Sequence, residues 1–342
     1  MSDRRIEELS ELPRDTAAAA AELIEAAAAA DGRPAVSEQG RLHIRRGATE
    51  GVRHLLLWTP RPTGETAGDE GAGASGGASG DSPNGTTDGT ASAAADQGGA
   101  EELTGYAQID GTDPVEAPAA ELVVHPGRRS QGHGRALGDA LLAATSKRVR
   151  VWAHGGHPAA RHLAVVLKLK LFRELHQMRR QLDPELTGLP EPKLPAGVTV
   201  RTFVPGQDEA AWLGVNAAAF AHHPEQGGLT ELDLADREAE PWFDPAGFFL
   251  AFRGATPAGF HWTKVHADER LGEVYVVGVA PDEQGSGLGK ALTAIGLRHL
   301  ARDRALPTAM LYVDADNAPA VSVYERLGFS VHETDLMYRT EN

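Results

Sequence analysis

The stretch EVYVVGVAPDEQGSGLGKAL, residues 273–292, decides how this chain is read. An apolar, β-branched run stops at Pro281, passes through a glycine-rich turn, and resumes with helix-forming Ala and Leu. The chain writes the same phrase earlier, as AELVVHPGRRSQGHGRALGDALL at 120–142. Each version has a Pro after the apolar run, a basic or amide residue, Gly-x-Gly, and then Ala-Leu.

Working outward, the flanks repeat as well. A helical stretch opens each half, RDTAAAAAELIEAAAAAD (14–31) and DEAAWLGVNAAAFAHH (208–223). A strand pair follows: HLLLW (54–58) with LTGYAQI (103–109), and GFFLAF (247–252) with AGFHWTKV (258–265). Beyond the glycine turn each half has a helix, a strand (VRVWAHG, 149–155; AMLYVDAD, 309–316), another helix, and a last strand. The order α, β, β, β, α, β, α, β written twice predicts an α+β protein of two tandem domains. Each is a mixed, mostly antiparallel sheet flanked by helices.

Two breaks punctuate this plan. Residues 62–100 are almost wholly Gly, Ala, Ser, Thr, Asp and Glu, too poor in apolar side chains to offset their ordering entropy. They read as a disordered insert at a hairpin tip, where each doubling of loop length costs only about 0.6 kcal/mol. The proline-rich run DPELTGLPEPKLPAG (183–197) reads as the link between domains 1–187 and 198–342, with the linker itself at 188–197.

Composition excludes several function classes. Lys plus Arg total 33 against 48 Asp plus Glu, a net charge of −15 that argues against nucleic-acid and anionic-membrane partners. With no cysteine there is no disulfide, thiolate metal site or cysteine nucleophile. The first residues lack the apolar core of a signal peptide, and no apolar run reaches membrane-spanning length. A cytoplasmic monomer is expected. Although there are 14 histidines, no His-Glu-x-x-His pattern occurs, and no metal is expected.

A strand running into Q-x-x-G-x-G and a helix offers unpaired N–H groups and the positive end of a helix dipole, a pyrophosphate cradle. Glycines let the phosphates approach the backbone and supply positive φ. The candidates are Gln284, Gly285, Ser286, Gly287, Leu288, Gly289 and Lys290 in the second copy. In the first they are Ser130, Gln131, Gly132, His133, Gly134 and Arg135, after Arg129. A Rossmann site is disfavoured, because its glycines follow the first strand of a β-α-β unit rather than a mid-domain hairpin.

The apolar strand, the glycine turn and a later N-x-x-A-x-x-x-Y-x-x-x-G-F (Asn317, Ala320, Tyr324, Gly328, Phe329) together resemble the GNAT superfamily of acetyl-CoA-dependent N-acetyltransferases. The resemblance, strongest to its tandem-domain members, covers nearly the whole chain outside the insert. It implies acetyl-CoA as cosubstrate, held by Leu122, Val123 and Val124 and the first turn, and by Val277, Gly278 and Val279, the second turn, and Asn317, Ala318, Pro319, Ala320, Val321 and Ser322. It further implies a small-molecule amine acceptor, a pseudo-disaccharide cysteine conjugate, contacted by Glu38, Glu225, Lys264, Glu273 and Tyr312. In such proteins the first domain keeps an acetyl-CoA site without the reaction. Two alternatives remain at this level: transfer to another amine, such as a peptide N-terminus, or a non-catalytic acyl-CoA sensor.

Overlaying the copies points the same way. Anchored on Pro281 and Pro126, Glu273 falls opposite Pro118; anchored on Tyr312 and Trp152, Tyr324 falls opposite Ala164. The first copy also has His157 where the second has Asn317. Acetyl transfer to an amine needs a base for the incoming ammonium and an acid for the departing thiolate. Glu273 as base and Tyr324 as acid are the expected catalytic pair, present in the second copy only.

Overall fold

The structure, a computed structural model, describes residues 4–61, 101–113, 115–183, 185, 187–189, 191–222 and 224–341. The insert at 62–100, expected to be disordered, lies outside the described residues. The first repeat contains β1 (Arg5–Leu9), α1 (Arg14–Asp31), α2 (Glu38–Arg46), β2 (Val52–Pro60), β3 (Glu101–Asp110) and β4 (Ala119–Val124). It continues with α3 (His133–Ala144), β5 (Arg150–Ala153), α4 (Pro158–Val166) and β6 (Lys170–Gln181). The second contains β7 (Val198–Thr202), α5 (Glu209–Ala219), α6 (Pro224–Gly227), α7 (Glu231–Glu238), β8 (Phe248–Arg253) and β9 (Thr256–His266). It ends with β10 (Leu271–Val279), α8 (Leu288–Arg298), β11 (Thr308–Asp314), α9 (Ala318–Arg326) and β12 (Ser330–Arg339).

The duplicated order read from the sequence is present, with additions. The sequence reading misses the outer strands β1 and β7. β1 is RIEEL, too charged to read as a strand, and among the described residues it pairs only with β2. Charge on an edge strand discourages pairing with another chain, so the feature that hides the strand suits its position. β7, against the proline-rich link, closes the opposite edge beside β8.

Among the described residues one twelve-stranded sheet results, in the order β1-β2-β3-β4-β5-β12-β6-β11-β10-β9-β8-β7. The last strand of each repeat crosses into the other half. β6 lies between β12 and β11, antiparallel to both, while β12 lies between β5 and β6. The two repeats are therefore hydrogen-bonded into a continuous ladder rather than strung on a linker.

Helices cover both faces. α1 and α2 cover one face of the first half, and α5 and α7 cover the same face of the second. α1 buries Ala20, Leu23, Ile24 and Ala27, the i, i+3, i+4, i+7 stripe of an amphipathic helix, and stops at Gly32 in the left-handed region (φ 66°). In the second half Trp212 of α5 meets Phe248, Phe260 and Trp262 edge-on at ring separations of 5.5–5.7 Å. The opposite face packs on α3 in the first half and on α8 and α9 in the second. Between the two helix groups, the first face over β5, β12, β6 and β11 carries polar side chains. Among the described residues no helix is long and apolar enough to cross a membrane.

Candidate active site

The two glycine turns have one backbone path. Gly285 and Gly287 adopt φ of 77° and 88°, and Ser130 and Gly132 follow at 61° and 85°. Gly287 and Gly132 are the N-caps of α8 and α3 and bring no side chain to cap them, although Ser286 Oγ accepts from Leu288 N–H at 3.3 Å. A Cβ at Gly285 or Gly287 would meet nothing within 4 Å, so the space above the second turn is open to a ligand. Arg253 clamps that turn from below through Glu283 at 2.5 and 2.7 Å. In the first turn Arg129 binds Asp31 at 2.6 and 2.9 Å and reaches the Val124 carbonyl at 3.3 Å. The His133 ring is buried against Thr104, leaving only its backbone to face the turn.

The strand leading into each turn parts from its parallel neighbour. β10 pairs with β11 only from Leu271 to Val274, and β4 with β5 only at Ala119 and Ala120. Ala280 N–H donates to the Ala258 carbonyl, so by the alternation of an antiparallel ladder the N–H groups of Val277 and Val279 face the open side. His125 N–H on the Thr104 carbonyl fixes Leu122 and Val124 in the same way. Each gap thus offers backbone donors to an extended amide such as pantetheine. The residues present fit the cosubstrate in both halves.

The halves differ by one residue. The register of β10 on β9 slips between Val274 and Val276, making Tyr275 a bulge, whereas β4 pairs regularly with β3. An extra residue reverses the alternation beyond it. Val277 therefore packs toward α8 and α9, while Glu273, Tyr275 and Val276 stay on the face shared with Lys264 and Trp262. The bulge also corrects the overlay. Glu273 stands beside Met310 on β11, and Ala119 stands beside Arg150, the residue matching Met310 when Tyr312 is set on Trp152. The counterpart of Glu273 is Ala119, not Pro118, and it too cannot ionise.

Glu273 is buried, 7 % exposed, and its Oε2 lies 2.7 Å from His266 Nε2. Lys264 is its direct cross-strand partner. Lys264 Nζ donates to Glu38 Oε1 at 2.5 Å and sits 4.4 Å from the Trp242 ring centre. Glu38 begins α2 in the first repeat, and its other oxygen accepts from the Tyr275 hydroxyl at 2.8 Å. Arg237 of α7 donates to that hydroxyl at 3.0 Å and to Gln39 at 2.8 Å. Burial would raise the Glu38 carboxyl, but Lys264, Tyr275 and Arg237 together hold it below the usual carboxylate range. The structure thus joins Glu38, Lys264 and Glu273 into one polar cluster across the repeats. Glu225 lies in α6, which Asn216 of α5 ties down through the Gln226 carbonyl at 2.7 Å and its side chain at 2.9 Å.

Tyr324 approaches from the other side of the sheet. It lies on α9, packs against the same core cluster as Val277, and meets Phe329 edge-on at 6.0 Å. Burial pushes its hydroxyl above the ordinary phenol value, keeping it protonated at neutral pH. Asn317 caps α9, its Oδ1 accepting from Ala320 N–H at 3.2 Å, and His157 caps α4 through Nδ1. Tyr324 follows its cap at the spacing at which Ala164 follows His157, as the overlay expects.

A second polar cluster escaped the sequence reading. Glu121 of β4 accepts from Ser37 N–H at 2.8 Å and Ser37 Oγ at 3.0 Å, seating the N-cap of α2 directly before Glu38. His154 bridges Glu121 at 2.7 Å and Asp335 of β12 at 3.3 Å. Facing a carboxylate with each ring nitrogen, it is held protonated. Burial opposes this, but the bonds to Asp335 and Glu121 raise its pKa to about 10. A folded pKa above the unfolded value of about 6.5 gives stability complete below that pH and lost as pH rises toward the folded value. The unfolding free energy from denaturant titration should therefore fall between pH 6 and pH 9.5, by an amount on the order of 1–3 kcal/mol. His154→Gln should flatten most of that slope; an equally steep profile in the variant would remove His154 as its source. The available signal was Glu121 itself, a lone carboxylate in the apolar run AELVV.

Known proteins agree with this geometry. Residues 217–329 match the Acetyltransferase (GNAT) family. The chain is 64 % identical to a mycothiol acetyltransferase of Streptomyces coelicolor, over 99 % of this chain and 96 % of that one. It is 48 % identical to the mycothiol acetyltransferase of Thermobispora bispora, over 97 % and 98 %. Among solved structures, a tandem GNAT protein from the clavulanic acid biosynthesis pathway aligns with TM-score 0.61 at 17 % identity, covering 98 % of both chains. A GCN5-related N-acetyltransferase from Sphaerobacter thermophilus aligns at 0.57 and 23 %, covering 98 % of this chain and 95 % of that one. These two likenesses carry the fold, and the sequence relatives carry the family: the chain belongs to the mycothiol acetyltransferases of the GNAT superfamily.

Proposed function

We propose that this protein transfers acetyl from acetyl-CoA to the cysteine amine of 1D-myo-inositol 2-(L-cysteinylamino)-2-deoxy-α-D-glucopyranoside, giving mycothiol, at the gap beside β10. The observation that carries the reading is the bulged strand, with Glu273 on the face reached by Glu38 and the Val277 and Val279 N–H groups at the gap itself. Glu273, held by His266, takes a proton from the acceptor ammonium directly or through a water. The freed amine attacks the thioester carbonyl carbon, whose oxygen the strand N–H groups stabilise as it gains charge. As the C–S bond breaks, Tyr324 gives its proton to the thiolate, and the second proton that the nitrogen sheds on becoming an amide restores the tyrosine hydroxyl. No residue is acylated.

Glu38, Lys264 and Tyr312, with Glu225 on the α6 segment, bind the hydroxyl-rich acceptor between the repeats, since charged groups make the stronger hydrogen bonds to hydroxyls. Both walls of that cleft come from one chain, which suits a monomer. The first repeat, with its gap and turn but Ala119 and Ala164 in place of the pair, binds acetyl-CoA without transferring it. The reaction is tested by mass spectrometry of the cysteinyl pseudo-disaccharide after incubation with acetyl-CoA, beside a peptide bearing a free N-terminus. One acetyl on the pseudo-disaccharide and none on the peptide is the expected result. Acetylation of the peptide alone would assign the enzyme a different acceptor.

A further inference from the structure

The exchange of final strands carries first-repeat side chains into the catalytic half. On β6, Gln177 lies directly across from Tyr312 of β11, and Arg179 directly across from Met310, the neighbour of Glu273. Gln177 is 8 % exposed, whereas Tyr312 leaves 39 % of its surface open. Arg179 Nε donates to Gln177 Oε1 at 2.8 Å, and Gln177 Nε2 donates to the Tyr312 hydroxyl at 2.9 Å.

The direction of these bonds is forced. A guanidinium has donors only, so the carboxamide oxygen of Gln177 must face Arg179 and its NH2 must face Tyr312. An NH2 can only donate, so the Tyr312 oxygen is the acceptor of that bond. Its own proton is left to point elsewhere. We propose that Gln177 and Arg179 are positioning residues that set Tyr312 as a hydrogen-bond donor to an oxygen of the acceptor substrate, an amide carbonyl or a hydroxyl. This rests on the reading that Tyr312 contacts the acceptor, and adds to it the polarity of that contact and its source in the first repeat. Glu121, Glu333 and Asp335 also face this polar stretch of the sheet. Those carboxylates are already engaged, Glu121 by Ser37 and His154, Glu333 by Arg33, and Asp335 by His154 and Gly155 N–H, which leaves the Tyr312 proton to a ligand.

The test compares steady-state constants of the full-length enzyme for both substrates, with melting temperature as the folding control. Tyr312→Phe should raise the acceptor KM about tenfold, the loss of one buried hydrogen bond, with little change in acetyl-CoA KM. Gln177→Glu keeps the shape but reverses the bond: its carboxylate accepts the Tyr312 proton, and acceptor KM should rise at least as far. Arg179→Met, which frees Gln177 to turn over, should weaken the acceptor several-fold, and Arg179→Lys, still a pure donor, should restore it. In a Gln177→Leu, Tyr312→Phe double variant the losses should not multiply, because both remove one interaction. An acceptor KM raised by Tyr312→Phe but unmoved by Gln177→Glu would overturn the relay and leave the Tyr312 contact standing. No change in Tyr312→Phe would overturn both. Losses that multiply in the double variant, or an acetyl-CoA KM that rises in step, would reduce Gln177 and Arg179 to structural roles.

Discussion

Glu273→Gln lowers kcat by about 10²–10³-fold at pH 7, and by much less near pH 9, if Glu273 removes the ammonium proton. The carboxamide keeps the size of the carboxylate and can still hydrogen-bond His266, which now lies 2.7 Å from Glu273, so packing survives. It cannot accept a proton for good. At neutral pH the acceptor amine is mostly protonated and turnover then depends on the small free-amine fraction. That fraction grows tenfold per pH unit until the amine itself titrates. The log of the variant's rate should therefore climb steeply with pH where the wild type is flatter, and kcat/KM for the acceptor across pH 6–9.5 measures it. A loss of the same size at every pH would make Glu273 a binding group, and an unchanged rate would remove it from the chemistry.

Separating the repeats should have an effect as large. A fragment of residues 198–342 loses β6, the strand between its own β11 and β12, and loses β5 on the far side of β12. β11 pairs with β6 along its full length, from Thr308 on Gln181 to Asp314 on Leu175, and β12 pairs with it from Ser330 to Arg339. The fragment would expose three ladder edges and the side of the core around Leu311 and Phe329 that Met178, Leu182 and Leu189 cover. Neither 1–187 nor 198–342 should fold cooperatively or turn over alone, while the two co-expressed should recover activity. Circular dichroism melts and the acetylation assay report both. A 198–342 fragment with a sharp melt and substantial activity would show that the exchange is dispensable.

The exchange was not legible in the sequence, and the reason is physical. ELHQMRRQL is read as a strand from its place in the repeat, but nothing in it says whether its neighbours are β5 or β11. Antiparallel partners are chosen by cross-strand packing over the whole sheet. The bulge was hidden likewise. EVYVVGV reads as one continuous apolar run, and no glycine or proline marks Tyr275 as the extra residue. For the same reason the overlay slipped from Ala119 to Pro118.

The repeat itself was legible, because glycine turns have few substitutes. Even Ser130, the one non-glycine at these positions, is held at the left-handed φ that Gly285 takes freely. Of the site, the residues on the strand and turn could be read from local chemistry. Glu38 beside Lys264 could not, since those two meet only when the repeats close. Tyr275, Arg237, Gln177 and Arg179 were missed because each looks like an ordinary strand or helix residue until its partner is seen.

The asymmetry of the two glycine turns is tested most directly by a matched pair, Gly289→Asp and Gly134→Asp. Both glycines lie in the first turn of a helix, at ordinary φ, with no atom closer than 3.4 Å to an added Cβ, so Asp fits and suits the helix dipole. On the proposed reading of both turns as pyrophosphate cradles, the new carboxylate adds a negative charge beside the cofactor's and repels it. Product formed per minute, followed by mass spectrometry at saturating acceptor, should collapse in Gly289→Asp and stay near the wild-type rate in Gly134→Asp. The opposite pattern, or an equal collapse in both, would contradict the assignment of catalysis to the second repeat.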